Sequence, residues 1–387
     1  MKRREFLRGA TAGVIGGLGM TLAACAGTPP ATQQSTSTGG EAPQAQAPAQ
    51  GSSLPAIEWR MGTSWPVSLD TIYGGVNLLV ERVAELSGGL FKITPFPAGE
   101  LFPGLEVVQN VQQGTVEAGH TALYYYVGLN PAWALGTTVP FGLTTQQQNS
   151  WLYAGGGNEA MNELGAEFGV TLFPAGNTGA QMGGWFRREL NALSDLQGLK
   201  MRIPGLGGSV MERLGIVTQT LPAGEIFQAL STGAIDAAEW VGPYDDLKLG
   251  LPDAADYYYA PGWWEPGPAL HAVVNNEQWA RLPVEYQRIF AVATWEANLS
   301  MLSKYDAVNH DALEQIISSG IELKTYPEEI MAAGQRVAFE IYEENAASIP
   351  QFEKIYRPWK QFRDRIYRWH KTIEFPFANF VYNNPAP

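Results

Sequence analysis

The chain has 387 residues, a formal net charge of −13 and a single cysteine. Such an acidic balance argues against nucleic acid as a partner, since phosphate backbones are held by basic surfaces. One thiol excludes an internal disulfide framework and a zinc–thiolate site, and a hydrophobic share of 45% is ordinary for a packed globule.

Residues 1–25 read as a twin-arginine lipoprotein signal. Arg3-Arg4-Glu5-Phe6-Leu7 is the paired-arginine pattern, and Ala10 to Ala24 is uncharged, rich in Gly and Ala, and too short for a typical membrane span. The segment closes on Leu22-Ala23-Ala24-Cys25, which resembles a bacterial lipobox, so Cys25 is expected to carry the lipid anchor after export by the Tat route. A plain signal peptide with an incidental cysteine is the other reading. Residues 26–54 are rich in Pro, Gln, Ser, Thr, Ala and Gly, with Glu41 the one charge. Such a stretch buries too little apolar area to offset its ordering entropy and is expected to be a flexible tether.

The body then alternates. Strands are predicted at Ala56–Gly62, Phe91–Pro95, Ala118–Leu123, Val170–Phe173, Lys200–Ile203, Val217–Leu221 and Ile235–Val241. Helices are predicted between them at Ser68–Leu86, Leu105–Gln113, Asn158–Phe168, Gly208–Leu214 and Gly224–Leu230, the first with Ser68 as cap and Gly88 as stop. Repeated βα alternation predicts an α/β protein with mainly parallel sheets covered by helices, in which ligands collect at strand carboxyl ends or between domains. After Pro283 the pattern turns helical: Val284 to about Ser319, then a strand at Ile321–Thr325, and helices at Pro327–Glu344 and Phe352–Thr372. The last is dense in aromatic and basic residues. It is expected to pack on its own domain or on a second protomer, ahead of an anionic membrane surface.

Within "GAIDAAEWVGP" (residues 233–243), Glu239 stands beside Trp240 in what reads as core. A buried carboxylate without compensation is costly or neutralises itself, so something must sit beside it. Asp236, three residues earlier, reads as a turn or surface residue.

Those eleven residues, with Asn177–Phe186 ("NTGAQMGGWF"), Leu196–Gly208 ("LQGLKMRIPGLGG"), Leu221–Leu230 ("LPAGEIFQAL") and Pro261–Gly267 ("PGWWEPG"), resemble the solute-binding subunit of TRAP (tripartite ATP-independent periplasmic) transporters. Within that DctP family the likeness is to the branch that binds α-keto acids and lactate. The resemblance implies a two-domain periplasmic-binding-protein clamshell (type II-like) with long C-terminal helices, delivering an organic acid to membrane permease subunits. Domain I would comprise 55–178 plus 268–320, domain II 179–267 plus 321–350, and 351–387 a C-terminal helix for packing or a possible homodimer. It further implies that Gln181, Glu239 and the Trp240 carbonyl hold a metal, that Arg202 grips the substrate carboxylate, and that one of Tyr124, Tyr125 and Tyr126, with Tyr125 preferred, lines the pocket. Glu265 is expected to face the same cleft, and Trp264 stands where relatives often carry His.

Carboxylate, amide and main-chain oxygens are hard donors that suit Na⁺ or Ca²⁺. Arg202 offers the planar fork that matches a carboxylate. Charge balance then favours a monocarboxylate, with Na⁺ if Glu265 is uncharged and Ca²⁺ if it is ionised. The competing structural reading is a plain Arg202–Glu239 ion pair. The competing functions are a periplasmic enzyme acting on organic acids or carbohydrates, or a ligand-sensing domain. Against catalysis, His120, His271, His310 and His370 are scattered and no Gly-x-Ser-x-Gly elbow occurs.

Overall fold

A computed structural model describes residues 54–384. The export segment, Cys25 and all but the last residue of the 26–54 tether therefore lie outside the described residues.

Among the described residues, eleven strands form two sheets: β1 (Ile57–Thr63), β2 (Phe91–Phe96), β3 (Ala118–Thr121), β4 (Val170–Asn177), β5 (Trp185–Phe186), β6 (Lys200–Arg202), β7 (Val217–Gln219), β8 (Ala237–Ala238), β9 (Tyr257–Ala260), β10 (Ala269–Asn275) and β11 (Glu322–Thr325). The five-stranded sheet runs β2-β1-β3-β10-β4 and the six-stranded sheet β11-β9-β5-β8-β6-β7. Both sheets are mixed, with five parallel and four antiparallel strand pairs among the described residues, so the expected parallel pairing holds by a narrow majority. β10 is antiparallel to both β3 and β4, and β5 is antiparallel to both β8 and β9. The reason is connectivity. The chain leaves the first sheet after β4, enters the second through β5, and returns from β9 to the first through β10, so the strands at each crossing run against their neighbours.

Several elements differ from expectation. The segment Ile235–Val241 is not one strand; only Ala237–Ala238 pairs, so Glu239 is the first residue beyond a strand end. The predicted strand Ala118–Leu123 stops at Thr121, and Leu123–Tyr126 forms a 3₁₀ turn. The first helix spans Ile72–Leu86, one turn shorter than the Ser68 start suggests, with Thr71 at its N-cap. A helix at Thr145–Ala154 escaped prediction because its sequence, TQQQNSWLYA, offers few apolar residues at helical spacing; the Gln147 side chain accepts from the Thr144 backbone N–H at its start.

Two long helices, Val284–Ser318 before β11 and Glu328–Ser348 after it, are followed by Pro350–Thr372 and Glu374–Asn383. The helix Pro350–Thr372 buries Phe352, Ile355, Tyr356 and Trp359 against its own chain, the first of the alternatives weighed for it. Pro358 lies inside it, between the buried Tyr356 and Trp359. Asp236, in turn, is half-buried and satisfied: its carboxylate accepts from the Lys200 backbone N–H at 2.9 Å, the role of a local strand tie.

Candidate functional site

β6 and β8 are adjacent and parallel, with Arg202 opposite Ala238. Arg202 thus ends one strand and Glu239 follows the other, and the Glu239 N–H donates to the Arg202 carbonyl at 3.2 Å. Strand carboxyl ends are where open α/β sheets place ligands. The Arg202 side chain is 1% exposed and that of Glu239 is fully buried. The guanidinium donates through Nε to the Leu221 carbonyl (3.1 Å), through Nη1 to the Glu239 carbonyl (2.8 Å), and through Nη1 again to Glu239 Oε1 in a close ion pair. Its Cζ also stands 5.2 Å from the centre of the Trp240 ring.

The ion pair named as the structural alternative is therefore present, but it leaves both partners incomplete. Among the described residues, Arg202 Nη2, Glu239 Oε2 and Gln181 Oε1 are buried without a hydrogen-bond partner. Burial pushes Glu239 up to about 7, with the Arg202 charge opposing. Buried polar atoms are almost always paired, so orphaned ones on neighbouring segments mark a place for a ligand. Gln181 is held by its backbone between two site segments: its N–H donates to the Glu265 carbonyl (3.2 Å), and the next N–H, of Met182, to the Val241 carbonyl (3.1 Å). Its side-chain Nε2 donates to Thr178 Oγ1 at 2.9 Å, which fixes the amide orientation and leaves Oε1 as the free acceptor.

Glu265 is buried at the end of the segment after β9. Burial and then the Glu239 charge raise its carboxyl well above the usual range, and its Oε2 accepts from the Tyr124 hydroxyl at 3.3 Å. Because the three tyrosines lie on a 3₁₀ turn, strand alternation does not sort them. Tyr124 reaches Glu265 and its ring meets that of Tyr125, which in turn lies against Trp65, whereas Tyr126 turns away to Thr121 Oγ1 (3.1 Å) and the Val108 N–H. Tyr124 is thus a second wall beside the preferred Tyr125. Gly205 permits this approach: its φ is +64°, and a Cβ there would meet Tyr124 Cβ at 3.1 Å.

Trp65 was missed. It lies two residues past the carboxyl end of β1, and the tendency of ligands to collect at strand carboxyl ends is the signal that would have found it. Its ring centre is 6.3 Å from those of Trp240 and Tyr125, and its indole N–H donates to His120 Nδ1 at 2.8 Å. Trp264 is buried beside Glu265, with its indole nitrogen unpartnered among the described residues.

The donor set fits a hard cation. Among the described residues no three His, Cys, Asp or Glu side chains gather as a metal cluster. One carboxylate oxygen and one amide oxygen are free, and a main-chain carbonyl follows Glu239 directly; such sets hold Na⁺ or Ca²⁺ rather than zinc or copper.

A mixed α/β fold with a buried arginine and free oxygens gathered near its strand ends defines a receptor for a small anion. The chain belongs to the bacterial extracellular solute-binding protein family 7 (DctP), whose profile matches residues 61–348. It is accordingly a solute-binding receptor of the TRAP type and not an enzyme. It is 58% identical, over 85% of its length and 90% of the relative's, to the monocarboxylate 2-oxoacid-binding periplasmic protein of a Nostoc species. Among solved structures, it resembles a TRAP transporter solute-binding protein from Bordetella bronchiseptica, described as a mixed-occupancy dimer with co-purified calcium and picolinate bound (42% identity, TM-score 0.84, 85% of this chain and 98% of that one). A second, from Pseudoalteromonas atlantica with bound sodium and pyruvate, is 35% identical with a TM-score of 0.80, over 84% and 98% of the two chains.

Proposed function

We propose that this receptor captures a small 2-oxo or 2-hydroxy monocarboxylate of the pyruvate or lactate kind together with Na⁺ or Ca²⁺, and hands it to TRAP permease subunits in the membrane. Arg202 Nη2 donates to the acid's carboxylate; Gln181 Oε1, Glu239 Oε2 and the Trp240 carbonyl hold the cation; Tyr124, Tyr125 and Glu265 close the walls. When bound, the cation supplies positive charge that keeps Glu239 ionised and meets the acid's oxygens. The observation that carries this reading is the trio of buried, unpartnered atoms on Arg202, Glu239 and Gln181. The relatives bound to pyruvate or picolinate with sodium or calcium support it.

The remaining proposals concern organisation. Residues 55–178 with 268–320, and 179–267 with 321–350, act as two lobes that close on the acid. Tat export and a lipid on Cys25 hold the receptor at the membrane through the 26–54 tether. The C-terminal region from 351 mediates a homodimer: Trp369, Phe375, Phe377, Phe380 and Tyr382 are all more than half exposed, an apolar surface that water disfavours. Deleting residues 374–387 is expected to leave a monomer by sedimentation where the intact chain is a dimer; equal mass for both contradicts the proposal.

The test of function is calorimetric titration of pyruvate into ion-stripped protein, with and without added Na⁺ or Ca²⁺. Expected is saturable binding that requires an ion and returns the acid unchanged. Tight binding without any ion overturns the metal assignment.

A further inference from the structure

Two buried acids, Asp245 and Asp246, lie on the helix Pro243–Lys248, just beyond the site, and neither touches the free atoms described above. Both carboxylates are aimed back at the segment that carries the Trp240 carbonyl. Asp245 Oδ2 accepts from the Trp240 indole N–H at 3.3 Å and from the Tyr305 hydroxyl at 2.7 Å. Asp246 Oδ1 accepts from the Val241 backbone N–H at 3.4 Å, and its Oδ2 from the Trp185 indole (2.9 Å) and the Tyr258 hydroxyl (2.7 Å). Tyr305 belongs to the long helix Val284–Ser318, while Trp185 and Tyr258 are a directly paired position on β5 and β9, with rings stacked at 4.0 Å.

The pair therefore clamps residues 240 and 241 from two directions, one acid to the long helix and the other to the sheet. The effect reaches further, because the Val241 carbonyl accepts from the Met182 N–H, the residue after Gln181. Two aspartates are an expensive way to pack a core, since burial of carboxylates is costly unless hydrogen bonds repay the lost hydration. Here five donors offset part of that cost. Of the four carboxylate oxygens, Asp245 Oδ1 alone has no partner among the described residues. Groups outside a metal's direct ligands commonly set its affinity by orienting those ligands.

We infer that Asp245 and Asp246 are positioning residues that set the geometry of the Trp240 carbonyl and Gln181, and hence the affinity for the cation rather than for the carboxylate. The inference rests on the proposed cation site. Trp240 is fixed on three sides, by Arg202 over its face, Trp65 at its edge and Asp245 at its N–H, and Asp245 is the one that also joins it to the long helix. Asparagine at 245 keeps an oxygen that accepts from both Trp240 and Tyr305; leucine keeps neither bond.

The test titrates Ca²⁺, and separately Na⁺, at saturating pyruvate, reading intrinsic tryptophan fluorescence, on wild type, Asp245→Asn, Asp245→Leu and Tyr305→Phe. Asp245→Leu is expected to raise the ion concentration for half-saturation at least tenfold and Tyr305→Phe about threefold, with Asp245→Asn close to wild type. At saturating ion, pyruvate affinity should recover in every variant. If Asp245→Leu fails to fold, Tyr305→Phe carries the test, and an unchanged ion requirement there overturns the inference. So does a loss of pyruvate affinity that persists at saturating ion, which marks a merely structural role. Wild-type protein that needs no ion at all refutes the underlying cation site instead.

Discussion

Arg202 holds the fold as well as a ligand. Its Nε and Nη1 are spent on Leu221 and Glu239, and only Nη2 is free. Arg202→Ala should therefore do more than abolish acid binding: it strands a buried carboxylate, a change that costs about 3–5 kcal/mol. Adding Glu239→Gln should restore part of that stability but none of the binding, as read by urea unfolding and calorimetry; no recovery in the double variant would contradict the buried pair. The histidines make a second prediction. His271 lacks a partner on either ring nitrogen among the described residues, and burial lowers its pKa to about 3; His120 is lowered to about 4 by the same cause. Both folded values lie below the ordinary value near 6.5, so their contribution is intact above that pH and is lost as pH falls toward 4 and then 3, by about 1.4 kcal/mol per unit for each histidine. Asp245 and Asp246, raised by burial to about 7 and about 6, run the other way and gain as they protonate. The clean comparison is His271→Leu against wild type: its unfolding midpoint should fall less steeply between pH 6.5 and 4, and parallel curves would contradict the account. At this scale motif resemblance named Arg202, Glu239, Gln181 and Glu265 as candidates, and the structure finds all four buried. Tyr124 was legible only as one of three, because adjacent residues on a 3₁₀ turn both face inward where strand alternation would have chosen one.

Among the elements, the C-terminal helix Pro350–Thr372 shows how packing outranks charge. Glu343 on the preceding helix accepts from Tyr356 and receives Arg357 and Lys360, which together hold its carboxyl down to about 2. That lowered value means the contribution is present above about 4.5 and fades as the pH falls toward 2. Because the group is about two-fifths exposed, solvent screens it, and Glu343→Gln should cost under about 1 kcal/mol. Trp359, 1% exposed on the same helix, should cost about 3–5 kcal/mol as Trp359→Ala. Chemical denaturation of the two variants checks the order; equal losses would contradict it. This helix was readable from its aromatic period. β8 was not, because Ile235–Val241 reads as one apolar run while backbone pairing ends after Ala238, freeing Glu239 to turn toward Arg202. Nor did local pattern reveal antiparallel β5 and β10, since strand direction is set by the crossings between sheets.

For the whole molecule, the described state brings the ends of both sheets together: Trp65 beyond β1 against Trp240 beyond β8, and Tyr124 beyond β3 against Glu265 beyond β9. Trp65→Ala removes an indole that meets Trp240 from the other sheet and should weaken acid binding by at least tenfold while leaving the Arg202–Glu239 pair in place, as calorimetry would show; unchanged affinity would place Trp65 outside the site. The α/β class followed from βα alternation, whereas the meeting of the two sheets depends on contacts well over a hundred residues apart that no local pattern encodes. The most direct measurement is a crystal structure grown with pyruvate and Ca²⁺. Density for the acid on Arg202 Nη2, with a calcium anomalous peak touching Gln181 Oε1, Glu239 Oε2 and the Trp240 carbonyl, is the predicted result. Pyruvate bound elsewhere, with those three atoms still unpartnered, would contradict it.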